Sequence, residues 1–305
     1  MGPLRGVALK LASVMVFIVM ASLIKATAGR IPPGEVVFFR SLFAVPVILA
    51  WLWWRRELQT GFRAAQPLAH LWRGLVGTTA MGLGFAGLLF LPLPEVTAIG
   101  YAAPLLTVVF AAMFLGEQVR AFRLTAVAVG LVGVLIVLSP RLSVGAEMTE
   151  VQTLGAMLVL GGAVFTALAQ VFVRKLVQTE TTSAIVFWFS MTATGLSLVT
   201  LPFGWALPGP GDAALLVGAG LLGGVGQVLL TSSYRHADAS VIAPFEYVSI
   251  LFALGIGYWA FGEVPTPTML FGALIVIAAG CLIIWRERQL GLERNRQRKA
   301  MTPQG

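Results

Sequence analysis

Long apolar runs separated by short polar segments dominate this sequence. Seven runs carry no charged residue, namely 74–94, 96–116, 124–140, 151–173, 181–211, 213–234 and 264–285. Three more are interrupted by one or two charges, namely 7–27, 36–54 and 240–261. Because about 20 apolar residues in a helix cross the hydrocarbon core of a bilayer, each run predicts a membrane-spanning helix, ten in all. The run 181–211 contains three prolines near its end, so it predicts one helix followed by a loop.

The two halves of the chain resemble each other. Pairs separated by 146 positions are Gly74 and Gly220, Gly77 and Gly223, Tyr101 and Tyr247, and Glu117 and Glu263. Near the start of each half the offset is 149, which pairs Lys25 with Arg174 and Ser41 with Ser190. Repeats within an apolar chain are typical of secondary transporters.

The predicted fold is an all-α polytopic membrane protein built from two five-helix repeats. We place the first repeat at 6–140, the second at 153–286 and a basic tail at 287–305. Because five is odd, the second repeat enters the membrane from the opposite side, so the repeats are inverted. Inverted repeats provide two related conformations, one open to each side of the membrane.

Composition and charge agree with a membrane protein. Hydrophobic residues make up 58% of the chain and charged residues 11%, against about 25% charged residues in soluble domains. With the N-terminus in the cytoplasm, ten spans place all basic residues on the cytoplasmic side except Lys25, Arg30, Arg40 and Arg141. This positive-inside bias predicts that both termini are cytoplasmic. The net charge of +8 therefore indicates orientation and contact with membrane lipids rather than nucleic-acid binding.

Two further motifs suggest a family. Gly116-Glu117 and Gly262-Glu263 each follow an apolar helix and precede a glycine-containing one, and Phe38-Phe39-Arg40 opens the second span. With the repeat and the charge pattern, these motifs resemble the drug/metabolite transporter superfamily, in its ten-helix branch with paired EamA domains. The resemblance covers residues 6–286 and is greatest to bacterial aromatic amino-acid exporters.

That resemblance implies a multi-pass protein of the bacterial inner membrane that works as a secondary transporter. The expected substrates are small neutral or aromatic amino acids, carried by alternating access and most plausibly exported. The alternative is export of lipophilic cationic drugs or other small metabolites. The resemblance implies no cofactor and no metal, and one chain that contains both halves is expected to act as a monomer.

An intramembrane enzyme and an open channel are the competing classes. The only histidines and aspartates are His70, His236, Asp212 and Asp238, all near span ends or in loops. They form none of the familiar hydrolase or metal-binding motifs. The spans are also too uniformly apolar for a wide aqueous pore. A small-molecule carrier is therefore the expected class.

Glu246 is the strongest single candidate for substrate binding. It lies within the ninth span, beside Pro244 and Tyr247. An intramembrane carboxylate costs roughly 2.5–3.5 kcal/mol on insertion scales, so it usually faces a cavity or a partner. Glu246 is expected either to bind a substrate ammonium or a proton, or to lie near the cytoplasmic interface and pair with Arg235.

Other candidates are polar or aromatic residues within spans. Tyr101, Tyr247, Gln227, Gln170 and Thr78 are the weaker substrate-binding candidates. The tyrosines suit an aromatic substrate or a cation, although packing explains them equally well. The two amides are expected first as links between helices, and the Thr78 hydroxyl is expected to bond its own helix backbone.

A last group is assigned to packing and gating. Its members are Arg40, Gly74, Gly77, Gly220, Gly223, Pro104 and Pro244. Small residues let membrane helices approach closely, which is the main expectation for the four glycines. The prolines interrupt the fourth and ninth spans. Arg40, towards the outer face, is expected to gate the path or to anchor a neighbouring helix end.

Overall fold

A computed structural model describes residues 3–58, 61–115, 121–142, 150–176, 179–236 and 243–301. Within these ranges the chain is helical, and no strand occurs. The first half contains α1 (Pro3–Ala26), α2 (Pro33–Leu42), α3 (Ala44–Trp54), α4 (Pro67–Phe90), α5 (Leu93–Gly100), α6 (Ala102–Leu115) and α7 (Ala121–Leu142). The second half contains α8 (Glu150–Leu176), α9 (Thr182–Ser197), α10 (Pro210–His236), α11 (Ser249–Phe261) and α12 (Pro267–Met301). Short 3₁₀ helices cover Leu198–Phe203 and Ala243–Val248.

The all-helical membrane fold predicted from the sequence is confirmed. Eight described helical segments are long and apolar enough to cross a membrane, and Leu124–Pro140 and Phe245–Phe261 are shorter apolar helices. These ten segments coincide with the ten predicted runs. Many large apolar side chains on the outer surface are exposed, including Trp53, Phe203 and Trp259, as lipid contact requires.

Proline and glycine mark several helix boundaries. Pro33, Pro67, Pro210 and Pro267 are each the first residue of a helix, where a missing N–H costs nothing. Helix α11 ends at Gly262, which adopts a left-handed φ of +66°. Its partner in the repeat, Gly116-Glu117, lies outside the described residues.

The fourth and ninth spans are both interrupted, although Pro104 does not itself cause a break. Helix α5 stops at Gly100, Tyr101 adopts a turn, and α6 starts at Ala102. Pro104 therefore lies in the first turn of α6, where proline is tolerated. In the ninth span, Pro244 lies in the 3₁₀ helix that precedes α11. Both spans thus change helix geometry next to the paired tyrosines.

Helices of the two halves exchange partners. The first helix α1 packs along α10, and its counterpart α8 packs along α4, the counterpart of α10. Helix α7 packs along its own counterpart, α12. Each half therefore completes its packing with helices of the other half, as expected for two repeats related by a two-fold axis.

Individual contacts follow the same relation. A Cβ atom at Gly77 would lie 2.8 Å from Phe189 Cε2, and one at Gly223 would lie 3.0 Å from Arg40 Nε. Arg40 and Phe189 are themselves 149 positions apart, the offset seen near the start of each half. The repeated glycines thus accommodate repeat-related side chains of the second spans.

The equivalent pair of glycines behaves in the same way. A Cβ at Gly74 would lie 2.4 Å from Thr192 Cγ2, and one at Gly220 would lie 2.4 Å from Phe43 Cβ. Phe43 and Thr192 are again 149 positions apart. Because a methyl group at any of the four glycines would meet a neighbouring helix, all four permit close helix approach.

The described part of the basic tail is helical. Helix α12 continues without a break from the tenth span to Met301. The predicted boundary at residue 287 therefore falls inside a helix.

Candidate substrate site

Glu246 forms an ion pair with Lys10 of α1. Lys10 is only 3% exposed, whereas the Glu246 side chain is 50% exposed. The proposed partner Arg235 has a side chain outside the described part of the chain. The sequence places Lys10 among the cytoplasmic charges, and the structure shows that its side chain lies inside the bundle. A buried ammonium is expected to need a carboxylate partner in a membrane protein.

The ion pair joins the two halves at a break in the ninth span. Lys10 belongs to the first helix, and Glu246 lies in the 3₁₀ helix Ala243–Val248. Half of the Glu246 side chain is exposed, so the carboxylate lies at the edge of the packed interior. The ion pair therefore joins a buried ammonium to an accessible carboxylate.

Tyr101 and Tyr247 lie against each other beside this ion pair. Their ring centroids are 5.0 Å apart with the planes at 73°. The Tyr101 Oη atom lies 3.2 Å from the Tyr247 carbonyl oxygen and 2.5 Å from Ser249 Oγ. Both side chains are buried. This geometry makes the tyrosines part of the scaffold that holds Glu246 in place.

A glycine on α12 makes room for the second tyrosine. A Cβ at Gly280 would lie 1.7 Å from Tyr247 Oη and 2.3 Å from Tyr247 Cζ. The ring therefore lies directly on the backbone of α12. Sequence reading missed Gly280, because one glycine in an apolar helix gives no sign of what it faces.

The two amides differ in their surroundings. Gln170 of α8 has its Oε1 atom 3.2 Å from Thr107 Oγ1 of α6, so it links two helices. Gln227 is half-buried on α10, next to Gly226, whose carbonyl accepts a 3.1 Å hydrogen bond from Ser13 Oγ. Ser13 lies one turn after Lys10 on α1, which places Gln227 near the depth of the ion pair.

The Thr78 hydroxyl behaves differently from the expectation. Its Oγ1 is buried and has no hydrogen-bond partner among the described residues, whereas the neighbouring Thr79 donates to Leu75 O at 3.0 Å. The expected bond to the helix backbone is therefore present at Thr79 and wrong for Thr78. Thr78 remains a candidate for a contact with a ligand.

Arg40 lies in the interior instead of near the outer face. It is 3% exposed and approaches Gly223, the central residue of α10. Its guanidinium carbon is 5.9 Å from the Phe189 ring centroid. A buried guanidinium at mid-depth is costly without an anion, by several kcal/mol.

Sequence reading missed Arg73, the second buried arginine. It was counted as a cytoplasmic charge because it lies close to the start of the third span. Its guanidinium carbon lies 3.7 Å from the same Phe189 centroid, so its side chain extends into the bundle beside Arg40. Only the fold brings the two arginines together.

A second ion pair closes the predicted outer end. Lys25 Nζ of α1 lies 2.8 Å from Glu263 Oε1 and donates to Leu91 O at 2.7 Å. The other carboxylate oxygen of Glu263 accepts a 2.9 Å hydrogen bond from Leu93 N. One lysine and one glutamate thus tie the end of α1 to the start of α5 and the turn after α11.

Sequence comparison identifies relatives along nearly the whole chain. The profile of the EamA-like transporter family matches residues 4–139 and again residues 153–285. A pseudopaline exporter of Pseudomonas aeruginosa is 30% identical over 288 residues, which cover 93% of this chain and 97% of the exporter. An S-adenosylmethionine uptake transporter of Rickettsia bellii is 28% identical over 267 residues, covering 87% of this chain and 88% of the transporter.

A solved crystal structure has the same fold. Its TM-score is 0.67 at 18% sequence identity, over 93% of this chain and 98% of that chain. The named relatives are transporters of small molecules, so the predicted class of carrier rather than enzyme is confirmed. Neither of the two named relatives is an aromatic amino-acid exporter. These matches show that the chain belongs to the EamA-like transporter family.

Proposed function

We propose that this protein is a secondary transporter that exports small metabolites carrying an amino-acid group, by alternating access. Neutral and aromatic amino acids are the first candidate substrates. The observation that carries the proposal is the ion pair of Lys10 and Glu246, because it places a buried ammonium against a half-exposed carboxylate at a helix break.

The charges of an amino acid match those of the ion pair. Its ammonium group would pair with Glu246 and its carboxylate with Lys10, so that the substrate replaces one internal ion pair by two. No net charge has to be buried in this exchange, which keeps the desolvation cost low. Gln227, at a similar depth, would supply a hydrogen-bonding amide.

Tyr101 and Tyr247 act indirectly in this proposal. Their rings and the Ser249 hydroxyl hold the backbone around Glu246 at the junction of the 3₁₀ helix and α11. Movement at this junction would change the exposure of the carboxylate during the transport cycle. Broken helices at substrate sites are common in transporters with inverted repeats.

Uptake into proteoliposomes tests the proposal. Purified protein is reconstituted, and the entry of labelled phenylalanine, threonine and methionine is measured with and without an imposed pH gradient. Saturable uptake that unlabelled amino acids block is the expected result. Its acceleration by the gradient would show that protons drive transport. Uptake no greater than in protein-free liposomes would overturn the amino-acid assignment.

Other small metabolites are the second candidate class. The relatives support this alternative, since one is named an exporter of pseudopaline and another an importer of S-adenosylmethionine. A lipophilic cation would engage Glu246 alone. Adding a lipophilic fluorescent cation to the same liposomes separates the classes, because its uptake without amino-acid uptake would favour a cation carrier.

A further inference from the structure

Buried polar atoms without partners are concentrated on two neighbouring helices. Side-chain atoms of this kind among the described residues belong to Arg40, Ser41, His70, Arg73 and Thr78. All five residues lie on α2 or α4, which pack against each other. His70 has Glu180 Oε1 3.4 Å from its Nε2 atom, so the two arginines carry the largest uncompensated charge.

Arg40 and Arg73 lie beside the same aromatic ring. Their guanidinium carbons lie 5.9 Å and 3.7 Å from the centroid of Phe189, so both groups lie beside the same ring. Nε and Nη1 of each arginine have no hydrogen-bond partner among the described residues. Neither arginine forms an ion pair with a described carboxylate.

Packing alone does not account for such a pair. Both guanidinium groups lie beside the same ring, and like charges held close together repel each other. The face of Phe189 stabilises a cation only in part, through its quadrupole. Buried charges in membrane proteins normally pair with each other or mark a ligand path. An anion would supply the compensation that these two charges lack among the described residues.

We propose that Arg40 and Arg73 form a binding site for an oxyanion of the transported substrate, a carboxylate or a phosphate. Guanidinium groups present several fixed N–H donors that match the oxygens of both groups. Arg40 Nε lies 3.0 Å from the Cβ position of Gly223, and Arg73 Nη1 lies 3.2 Å from that of Gly77, so a side chain at either glycine would crowd the arginine pair. The repeated glycines thus border the arginine pair from both halves.

The site extends the proposed function. Gly223 is the residue of α10 next to Arg40, and Gly226, one turn further along, contacts Ser13 near Lys10. The arginines and the ion pair of Lys10 and Glu246 are therefore about two helical turns apart, roughly 10 Å. A substrate with an amino-acid group and a second, remote oxyanion would reach both sites. This reading rests on the proposed carrier function, but binding can be measured without transport.

Ligand binding to the purified full-length protein tests the site. Thermal unfolding in detergent is followed by tryptophan fluorescence with glutamate, succinate, inorganic phosphate or phenylalanine, each against chloride at equal ionic strength. We expect stabilisation by glutamate and by at least one of succinate and phosphate, and a smaller effect of phenylalanine. The succinate and phosphate arms show which oxyanion is preferred. No oxyanion stabilising the protein more than chloride would overturn the proposal.

Variants assign the effect to the arginines. Arg40→Gln and Arg73→Gln should each weaken binding at least tenfold, and Arg73→Lys, which keeps the charge, should weaken it less. Without ligand, both glutamine variants should unfold at the same temperature as the wild type or higher, since an uncompensated buried charge is removed. Arg63→Gln, in an exposed loop, removes the same charge as a control and should bind like the wild type.

The outcomes separate the site from the transport function. Unchanged affinity in Arg73→Gln and in Arg73→Lys would overturn the site, even if amino-acid transport is observed. Oxyanion binding that depends on the arginines, without amino-acid transport in liposomes, would overturn the proposed function and leave the site standing. Should the glutamine variants fail to fold, Arg73→Lys decides, because it retains the buried charge and only alters the donors.

Discussion

At the scale of single residues, the ion pair of Lys10 and Glu246 is expected to affect both stability and transport. Lys10 is nearly inaccessible, so its charge depends on the carboxylate beside it. Losing one member of a fully buried pair costs about 3–5 kcal/mol, and the cost here should be smaller because the Glu246 side chain is 50% exposed. Replacing both members by apolar groups is often neutral. Stability and transport should therefore respond differently to single and double substitutions.

Glu246→Gln is expected to lower the unfolding temperature and to reduce amino-acid uptake at least tenfold. Removal of the charge leaves Lys10 without its carboxylate and the substrate ammonium without its partner. The double variant Lys10→Met with Glu246→Leu should recover the stability but not the uptake. Thermal unfolding and liposome uptake are measured on the same preparations. Wild-type uptake with unchanged pH dependence in Glu246→Gln would exclude the residue from the mechanism.

Gly280→Ala tests whether the tyrosine pair positions the site. The new methyl group would overlap Tyr247 Oη and displace the ring, at a cost of about 1–3 kcal/mol from overpacking. Uptake should fall as the backbone near Glu246 shifts. Gly255→Ala on α11 is the control, since nothing lies within 4 Å of its Cβ position, and it should be neutral or slightly stabilising. Equal unfolding temperatures for the two variants would contradict this role.

Sequence reading recognised some of these residues and missed others for physical reasons. Tyr101 and Tyr247 were found as a repeated pair, and the structure places them in contact. Glu246 was found because carboxylates are rare in spans. Lys10 and Arg73 were missed, because charges near span ends are ordinarily orientation signals. Their roles depend on contacts with residues far away in the sequence.

At the scale of secondary-structure elements, the pairing of Lys25 with Glu263 fastens three helix ends together. Both side chains are largely buried, at 14% and 13% exposure. Pairs of this kind contribute more than surface pairs, which are worth about 0–1 kcal/mol. Arg55 and Glu57 provide a surface pair for comparison, with both side chains 34% exposed.

Glu263→Gln should lower the unfolding free energy by about 1–3 kcal/mol, because a largely buried lysine loses its ion pair. Glu57→Gln is the matched control, and its effect should stay below about 1 kcal/mol. Chemical denaturation in mixed micelles measures both. If the two variants lose the same stability, the pair of Lys25 and Glu263 is no more than a surface contact.

The exact positions of the breaks within spans could not be predicted from the sequence. Hydropathy located the fourth and ninth spans, and the prolines signalled irregular geometry in both. Pro104 nevertheless lies in a regular first turn, and the interruption is at Tyr101. Proline restricts where a helix starts without fixing the residue at which the preceding one ends. The exact break depends on the packing of Tyr101 against Tyr247 and Ser249.

For the whole molecule, the repeat governs how the halves are assembled. Helices α1 and α8 each pack on the third-span helix of the opposite half, and repeat-related glycines make repeat-related contacts. Neither half can bury its helices alone. The fold class could be predicted from hydropathy and the repeat. The exchange of partners between halves could not, because the apolar sequence of a helix does not indicate which helices it packs against.

This interlocked packing predicts that one chain is the transport unit. Both candidate sites are completed within a single chain, from helices of its two halves. Uptake per protein molecule should therefore stay constant as the protein-to-lipid ratio is lowered until vesicles hold one copy or none. The fraction of vesicles that take up substrate should then follow the Poisson statistics of single molecules. A fall in uptake per molecule in direct proportion to protein density would instead indicate that two chains must associate.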